Sequence, residues 1–446
     1  MRSPEPAVPV HRLGAAGLAR RLRAEEGGAV ASTRAFLDRI ARLDPMLGAF
    51  THVAKAEALA AATESDRRLA SGAARPLEGV PLALKANIDV AGWPVTGGVG
   101  AWAARRPVAD SAAAARLRGA GAVLLGLTNL HEAALGATTD NVFYGRTHNP
   151  HRHGYTPGGS SGGSGAAVAA GLCAAALGTD TLGSIRIPSA YCGVSGFKPT
   201  HGLVPSDGLV PLVARWDCIG PIARTVEDCA LVMEVLAAPP DAPPVTRVAT
   251  LSSVEAVETH PAVRAAVRVS RDLLRGLGLA VSEHRVAIDH HRVRLSGFVL
   301  ATRAARAQFG DDLAASPEGF SSQFRDLLAF GDRFDAEALA LAEETLAAAA
   351  AELRAVLGAA EAILMPATPQ PAFPFAGPHP VSQADFTALA NIAGLPALAL
   401  PAGWTEDGLP VAVQLLGRPG SDRALLALGS RLEAALGALR WPQGLD

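Results

Sequence analysis

Apolar residues follow a helical period in the first part of the chain. Between residues 11 and 70 the spacing predicts helices, one of them capped by Ser32 and Thr33 and ending at the Asp44-Pro45 pair. An Ala-rich amphipathic segment over 54–70 predicts another helix.

From residue 76 onwards, apolar runs that are typical of buried strands alternate with helical patterns. Residues 80–90 predict a strand carrying Lys85, and a helix over 111–119 precedes a strand over 122–127. Such alternation predicts a largely parallel or mixed β-sheet with helices on both faces. Residues 200–221 are expected to be mostly loop.

Composition divides the remaining chain. Residues 245–364 are rich in Arg, Glu and Ala, and we expect a helix-rich excursion over the active site with only short strands. Residues 365–446 return to the apolar core pattern, after a strand at 362–366, with strands at 397–401 and 410–417 and a last helix from Asp422. The predicted segments are therefore N-terminal helices in 1–75, a catalytic core in 76–240, the excursion and the C-terminal return. A length of 446 residues allows two or three domains, or one large α/β sheet over the whole chain.

Charge and cysteine usage exclude several classes of partner. The net charge is −2, 49% of residues are hydrophobic, and no Lys/Arg cluster is present, so neither nucleic acid nor a membrane surface is an expected partner. The segment MRSPEPAVPVHRLG has no continuous apolar run, and we expect no signal peptide. The four cysteines lack CxxC spacing and are predicted to be reduced thiols of a cytoplasmic protein.

The most distinctive stretch covers residues 157–200 and reads PGGSSGGSGAAVAAGLCAAALGTDTLGSIRIPSAYCGVSGFKPT. Two turns rich in glycine and hydroxyl residues flank an apolar segment that must be buried. Because glycine permits positive φ and close backbone approach, such turns can gather serine hydroxyls and N–H groups around one point. A flexible Gly/Ser linker is the alternative, and the long apolar continuation argues against it.

Two serine-based alternatives use parts of this stretch. Gly158-x-Ser160-x-Gly162 satisfies the nucleophile-elbow pattern of α/β-hydrolases, but the preceding HNPHRHGYTP does not predict the required strand. Ser195 and Lys198 match the SxxK of penicillin-binding enzymes, without the SDN and KTG motifs that accompany it.

Phosphate and metal sites are also disfavoured. No Gly-Lys-Ser/Thr follows the glycines, as a Walker A loop requires. His148, His151 and His153 lie in a short polar loop without a carboxylate or cysteine in register, so we interpret them as solvated.

Lys85, Ser160 and Ser184 form the constellation that we favour. Burial in an apolar strand disfavours the ammonium form of Lys85, and a neutral amine could draw a proton from Ser160, which in turn draws one from Ser184. Ser184 would then attack a carbonyl carbon without a metal or an organic cofactor. The developing oxyanion would meet the backbone N–H groups of Thr181, Leu182, Gly183 and Ser184. Helix capping by the serines, or an ion pair of Lys85 with Asp89 or Asp180, is the structural alternative.

At these residues the chain resembles the amidase signature family. The resemblance rests on GVPLALKANIDVAG, GLTNLHEAA, PGGSSGGSGAAVAAG, GTDTLGSIRIPSAYCGVSGFKPTHGLVP, GPIARTVEDCA, NIAGLPALALPAG and DGLPVAVQLLGR, which span nearly the whole chain. It implies a Ser-cis-Ser-Lys triad with Ser184 as nucleophile, Ser160 as bridging serine on a cis peptide and Lys85 as base. It also implies that Asp180 and Arg186 support the nucleophile turn. The fold that it implies is a single α/β/α domain over 1–446, with a large mixed β-sheet flanked by helices on both faces.

The sequence departs from the family pattern at three places. Ala86 replaces an aspartate after the lysine, Leu182 replaces a glycine in the oxyanion turn, and Arg215-Trp216-Asp217-Cys218 replaces a common Ser-Leu-Asp-Thr. We expect the pocket walls to include residues 290–335 and the following four residues: Gly136, Thr138, Thr139 and Trp216.

The resemblance implies a hydrolase of small-molecule amides and acyl anilides, with carbamates (urethanes) and esters as further substrates. The glutaminase subunit of a tRNA-dependent amidotransferase, which would need partner subunits, remains an alternative. So does a catalytically silent scaffold of the same fold. A homodimer is compatible with the sequence.

Overall fold

The computed structural model describes residues 8–24 and 28–445. Residues 1–7, which carry half of the segment in which we expect no signal peptide, lie outside this range. Within the described residues there are thirteen α-helices: α1 (Ala15–Ala24), α2 (Gly28–Leu47), α3 (Lys55–Ala70), α4 (Ala112–Gly119), α5 (Gly162–Ala169), α6 (Arg186–Cys192), α7 (Val226–Leu236), α8 (Pro261–Gly276), α9 (His290–Ala315), α10 (Ser322–Gly331), α11 (Ala336–Ala359), α12 (Ala388–Ile392) and α13 (Asp422–Leu436).

Thirteen strands lie in the same part of the chain: β1 (Phe50–Val53), β2 (Pro81–Lys85), β3 (Val123–Thr128), β4 (Asp140–Asn141), β5 (Gly145–Arg146), β6 (Ala175–Asp180), β7 (Ser195–Lys198), β8 (Cys218–Ala223), β9 (Arg247–Leu251), β10 (Ala280–His284), β11 (Ala362–Pro366), β12 (Ala397–Trp404) and β13 (Pro410–Gly417). Eleven of them form one sheet in the order β1-β3-β2-β6-β8-β7-β12-β13-β11-β9-β10, and β4 and β5 form a separate hairpin. The single α/β domain with a large mixed sheet is thereby confirmed.

Helices cover both faces of the sheet, because its central strands are buried on both sides. In β11, Leu364 belongs to one buried cluster, whereas Ile363 and Met365 belong to a second cluster on the opposite face. Side chains of successive strand residues point to opposite faces, so each face has its own core. Helices α10 and α11 each pack against α9 over the second cluster.

The parallel strands β2 and β6 bring two polar ends together. Leu84 pairs with Leu177, so Lys85 at the end of β2 lies beside Thr179 and Asp180 at the end of β6. The carboxyl ends of neighbouring parallel strands meet at one edge of the sheet, where α/β proteins bind ligands. Topology alone therefore assembles part of the candidate site.

Several predicted elements are corrected by the structure. Helix α2 continues through Pro45 to Leu47, with Ser32 and Thr33 buried inside it rather than at its start. Strand β2 ends at Lys85, where the N–H of Asn87 turns back to the Lys85 carbonyl at 2.8 Å. The expected loop up to Pro221 contains the beginning of β8, a strand in the centre of the sheet.

The short strands that are expected within the excursion over 245–364 belong to the main sheet. The excursion contributes β9, β10 and β11 to this sheet, in addition to α8, α9, α10 and α11. Across residues 8–24 and 28–445, no helix combines the length and the apolar character that crossing a bilayer requires.

Candidate active site

Lys85 is completely buried at the end of β2. Its Nζ lies 2.8 Å from Ser160 Oγ and 2.7 Å from Thr179 Oγ1. Burial lowers the pKa of Lys85 to about 7, although the carboxylates of Asp217 and Asp180 oppose this shift. A substantial fraction of the amine is therefore neutral near pH 7, the state in which it can accept a proton.

Ser160 lies in a turn that leaves no room for side chains at its glycines. Gly158 has φ of 84°, and a Cβ at Gly159 would stand 2.8 Å from the backbone of Ala137 and Thr138. The Gly159–Ser160 peptide bond is cis, as the resemblance implied. The hydroxyl of Thr139 donates to the Gly158 carbonyl at 2.8 Å and fixes the turn from behind.

Ser184 follows the second turn and lines an open cavity. Its carbonyl accepts a hydrogen bond from the Ser161 N–H at 3.2 Å, which ties the two turns together. Among the described residues, the hydroxyls of Ser160 and Ser184 are not hydrogen-bonded to each other. The N–H of Gly183 donates to Asp180 Oδ1 at 2.7 Å, whereas no protein acceptor in the described part meets the N–H groups of Thr181, Leu182 and Ser184.

Asp180 and Arg186 form a buried ion pair beneath this turn. Arg186 Nη2 and Nε donate to the two carboxylate oxygens of Asp180, each at 3.0 Å. Burial opposes ionisation, but the Arg186 charge outweighs it and holds the pKa of Asp180 at about 2. Arg186 also donates to Gln414 and Asn391, at 2.9 and 2.6 Å. The pair stands where the resemblance placed it.

Asp217 supports the same turn from the other side, and sequence reasoning did not assign it a role. Its carboxylate accepts the Thr181 hydroxyl at 2.5 Å and the N–H groups of Leu212 and Val213 at 2.8 and 3.0 Å. Burial raises the pKa of Asp217 despite these donors. Its retention within the otherwise divergent Arg215–Cys218 segment was the only sequence signal.

A cavity of about 390 Å³ opens above Ser184. Of the predicted wall residues, Gly136 and Thr138 line it. Thr139 and Trp216 are absent from the lining, which corrects their assignment. Thr139 is fully buried behind the Gly158 turn, and Trp216 packs in the second hydrophobic cluster with Arg215 over its ring.

The excursion supplies one wall of this cavity, in agreement with the expectation for 290–335. The side chains come from α9 and α10: Arg294, Phe298, Ala301, Gln323 and Leu327. His131 was not anticipated and also lines the cavity, with Nδ1 3.2 Å from Thr138 Oγ1. Burial lowers the pKa of His131 to about 4, so this ring is neutral at pH 7.

The observed contacts test the alternative roles of Lys85 and of the serines. Asp89 pairs with Arg105 at 2.7 Å and Asp180 pairs with Arg186, so neither is the ion-pair partner of Lys85. Helix α5 receives no side-chain cap from Ser161. The Ser195 hydroxyl donates to Glu433 at 2.8 Å, outside the cavity, which disfavours an SxxK site.

The predicted histidine loop is only partly solvated. His151 Nε2 lies 3.0 Å from the Cys192 carbonyl, and burial lowers the pKa of His151 to about 4. The rings of His148 and His153 stack with centroids 3.9 Å apart. Nowhere in 8–24 and 28–445 do three or more His, Cys, Asp or Glu side chains gather as metal ligands would. All four cysteines are buried and free.

Comparison with known proteins identifies the family. A sequence model of the Amidase family matches residues 31–426. The chain belongs to the amidase signature family of hydrolases. A glutamyl-tRNA(Gln) amidotransferase subunit of Roseiflexus castenholzii is 35% identical, over 95% of this chain and 95% of the relative.

Two solved structures are similar over almost the whole amidase domain. One is described as an unexpected vestigial protein complex that reveals the evolutionary origins of an s-triazine catabolic enzyme. It has a TM-score of 0.89 and 30% identity, and covers 96% of this chain and 99% of its own. The other is the crystal structure of an amidase, with a TM-score of 0.87, 32% identity and coverage of 95% and 100%.

Proposed function

We propose that the protein hydrolyses C–N acyl bonds of small-molecule amides through an acyl-enzyme on Ser184. The observation that supports this proposal is the 2.8 Å contact of Lys85 Nζ with Ser160 Oγ, buried next to a cavity that Ser184 lines. Membership of the amidase signature family supports the same reaction class.

In the proposed reaction, neutral Lys85 takes the proton of Ser160 as Ser160 takes the proton of Ser184. The Ser184 oxygen bonds to the carbonyl carbon, and the oxyanion meets the free N–H groups of the turn. The tetrahedral intermediate collapses as the C–N bond breaks, and Ser160 gives a proton to the leaving nitrogen while recovering one from Lys85. Water then attacks the ester by the same relay and releases a carboxylic acid.

Two requirements accompany this proposal. The Ser184 hydroxyl must rotate to reach Ser160, because the two side chains are not hydrogen-bonded in this structure. The oxyanion donors are the N–H groups of Thr181, Leu182 and Ser184, since Asp180 already accepts from Gly183. Anilides, carbamates and esters have the same carbonyl centre and belong to the proposed substrate range.

The test is a panel of acyl p-nitroanilides, primary amides, esters and aryl carbamates assayed with the isolated protein. We expect Ser184→Ala to abolish turnover and fluorophosphonate labelling, Lys85→Ala to abolish nearly all turnover, and Ser160→Ala to cause a large, incomplete loss. Ser195→Ala is the matched control, because its hydroxyl contacts Glu433 outside the cavity, and it should retain activity. A wild-type protein that neither turns over the panel nor is labelled would be a silent scaffold.

A glutaminase subunit of an amidotransferase is the second candidate, favoured by the 35% identity to the Roseiflexus castenholzii protein over 95% of the chain. One observation favours the stand-alone enzyme instead. No Asp or Glu among the described residues lines the cavity, so the α-ammonium group of glutamine would lack a charged partner. Anilide turnover by the isolated protein would support the first candidate, and glutamine turnover without anilide turnover the second.

A further inference from the structure

Arg294 places a positive charge in the wall of the cavity. It is the only Arg, Lys, Asp or Glu side chain that the described chain contributes to the lining. Its side chain is 12% exposed, so most of the charge is shielded from bulk water. The rest of the lining combines apolar side chains, among them Leu182, Phe298 and Leu327, with uncharged polar ones such as Gln323 and Gln383.

The hydrogen bonds of Arg294 involve only some of the N–H donors of its guanidinium group. Nε donates to Asp385 Oδ1 at 2.6 Å, and Nη2 donates to His291 Nδ1 at 3.0 Å. A guanidinium carries five N–H donors, and the residues described here offer no acceptor to the other three. Buried donors of a charged group are costly unless water or a ligand satisfies them. Asp385 therefore fixes the orientation of Arg294 without saturating it.

Building on the proposed function, we propose that the acyl group of the substrate carries a carboxylate that binds Arg294. The free N–H groups match the oxygens of a carboxylate, a pairing that charge-assisted hydrogen bonds make strong. Attack by Ser184 at the amide carbon would then release ammonia or an amine, and hydrolysis of the ester would yield a dicarboxylic acid.

The size of the cavity and the charges that line it restrict the class of substrate further. A volume of about 390 Å³ lies at the lower end of the ~300–1,000 Å³ typical of ligand pockets, so the acyl chain is short. Apolar walls fit methylene groups between the two polar ends. Because no carboxylate lines the cavity, an ammonium group on the substrate would be unpaired. The substrate class is thus the mono-amides of short dicarboxylic acids that lack an amino group.

The first experiment compares two series with the wild-type protein. Mono-amides of succinic, glutaric and adipic acids are assayed against butanamide, pentanamide and hexanamide, and L-glutamine is assayed against glutaric mono-amide. We expect kcat/KM of the mono-amide to exceed that of the matched neutral amide at least 10-fold at one chain length or more. Glutamine should be poorer than glutaric mono-amide. Equal or better turnover of the neutral amides at every length would overturn the inference, as would a preference for glutamine.

The second experiment removes the charge. Arg294→Met should lower kcat/KM for the preferred mono-amide about 10- to 100-fold more than for the matched neutral amide, the range expected for a charge-assisted hydrogen bond. The exposed Arg292→Met, on the same helix, is the matched control and should change neither series. The Arg294→Met/Asp385→Asn double variant avoids stranding the Asp385 carboxylate and keeps the test valid if the single variant does not fold.

The other possible results of these two experiments contradict either the carboxylate inference alone or the proposed function as well. A preference for mono-amides that survives in the Arg294 variants, or an equal loss in both series, would overturn the carboxylate assignment. Turnover of neutral amides without any carboxylate preference contradicts this inference alone. No turnover of any amide or anilide by the wild-type protein contradicts the proposed function as well, so the two failures are distinguishable.

Discussion

Lys85 Nζ contacts Ser160 Oγ at 2.8 Å, although the two residues are 75 positions apart in the chain. Both side chains are fully buried. The second contact of Lys85, with the Thr179 hydroxyl at 2.7 Å, orients the amine from the neighbouring strand. The protonation state of this amine is therefore governed by burial and nearby carboxylates rather than by an ion-pair partner of its own.

The first prediction concerns the pH dependence of turnover. Because the neutral form of Lys85 is the proposed base, kcat/KM should rise with pH through about 7 and level off above it. Below that value, activity should fall about tenfold per pH unit as the ammonium form accumulates. The measurement is a pH profile of kcat/KM for an uncharged amide.

Glu433 provides the control for this profile, because burial raises its pKa to about 7 as well. It accepts hydrogen bonds from the Ser195 hydroxyl at 2.8 Å and the Val226 N–H at 3.0 Å, and none of these three residues lines the cavity. Glu433→Gln retains an acceptor and should leave the profile unmoved. A midpoint that disappears in Glu433→Gln would assign the titration to that carboxyl group instead.

Sequence reasoning reached the parts of the site that lie within continuous motifs. Lys85 and Ser160 are recognisable because each stands in a run of small or apolar residues that burial explains, whereas the Asp180–Arg186 pair was expected only from the family resemblance. Arg294 could not be predicted from the sequence. It is one of several arginines on the 26-residue helix α9, and only packing determines which of them faces the cavity.

The same distinction applies to the fold. Strands β11 and β13 were predicted with their observed bounds, because each is a continuous apolar run with clear ends. The central strands β6, β7 and β8 were missed. They contain glycine or proline, as at Pro221 opposite Leu177, and these residues ordinarily indicate turns. In these three strands, hydrogen bonding to a neighbouring strand on each side outweighs the local preference of glycine and proline for turns.

The second prediction concerns the stability of the nucleophile turn. Arg186→Met should lower the free energy of unfolding by about 3–5 kcal/mol, because it leaves the Asp180 carboxylate buried without its charged partner. Urea denaturation followed by circular dichroism measures this change. Arg20→Met is the matched control: Arg20 pairs with Glu227 at the surface with its side chain 62% exposed, and less than about 1 kcal/mol should be lost. Equal losses in the two variants would contradict the structural role of the buried pair.

The third prediction concerns Leu182, which replaces a glycine of the family pattern. Its side chain lines the cavity and lies next to Gly297 of α9, where an added Cβ would stand 3.2 Å from Leu182 Cδ2. Leu182→Ala should enlarge the cavity and raise kcat/KM for branched or aromatic acyl groups relative to short linear ones. The measurement is the ratio of the two kcat/KM values.

Gly297→Ala supplies the reciprocal variant to Leu182→Ala. The added methyl group presses on Leu182 and should narrow the cavity, so the ratio should shift in the opposite direction. A shift in the same direction for both variants would show that the two residues do not act on one wall.

The fourth prediction concerns the attachment of α10 to the catalytic core. The Glu132 carboxylate accepts the Ser321 N–H at 3.0 Å and also the Ser321 hydroxyl. Ser321 caps α10, which carries Gln323 and Leu327 into the cavity wall. Glu132→Ala removes both bonds, so the wall should become less well positioned, and we expect KM to rise about 3- to 10-fold with a smaller change in kcat.

Steady-state kinetics with a neutral amide separates a positioning role of Glu132 from a general loss of stability. Glu132→Gln keeps an acceptor for the Ser321 N–H and should recover part of the KM effect. The neighbouring Glu318→Ala, which removes only an exposed contact with the Ser316 hydroxyl, should behave as wild type. If Glu132→Ala reduced kcat and left KM unchanged, Glu132 would be acting on the turns around Lys85 and Ser160, and α10 would not depend on this contact for its position.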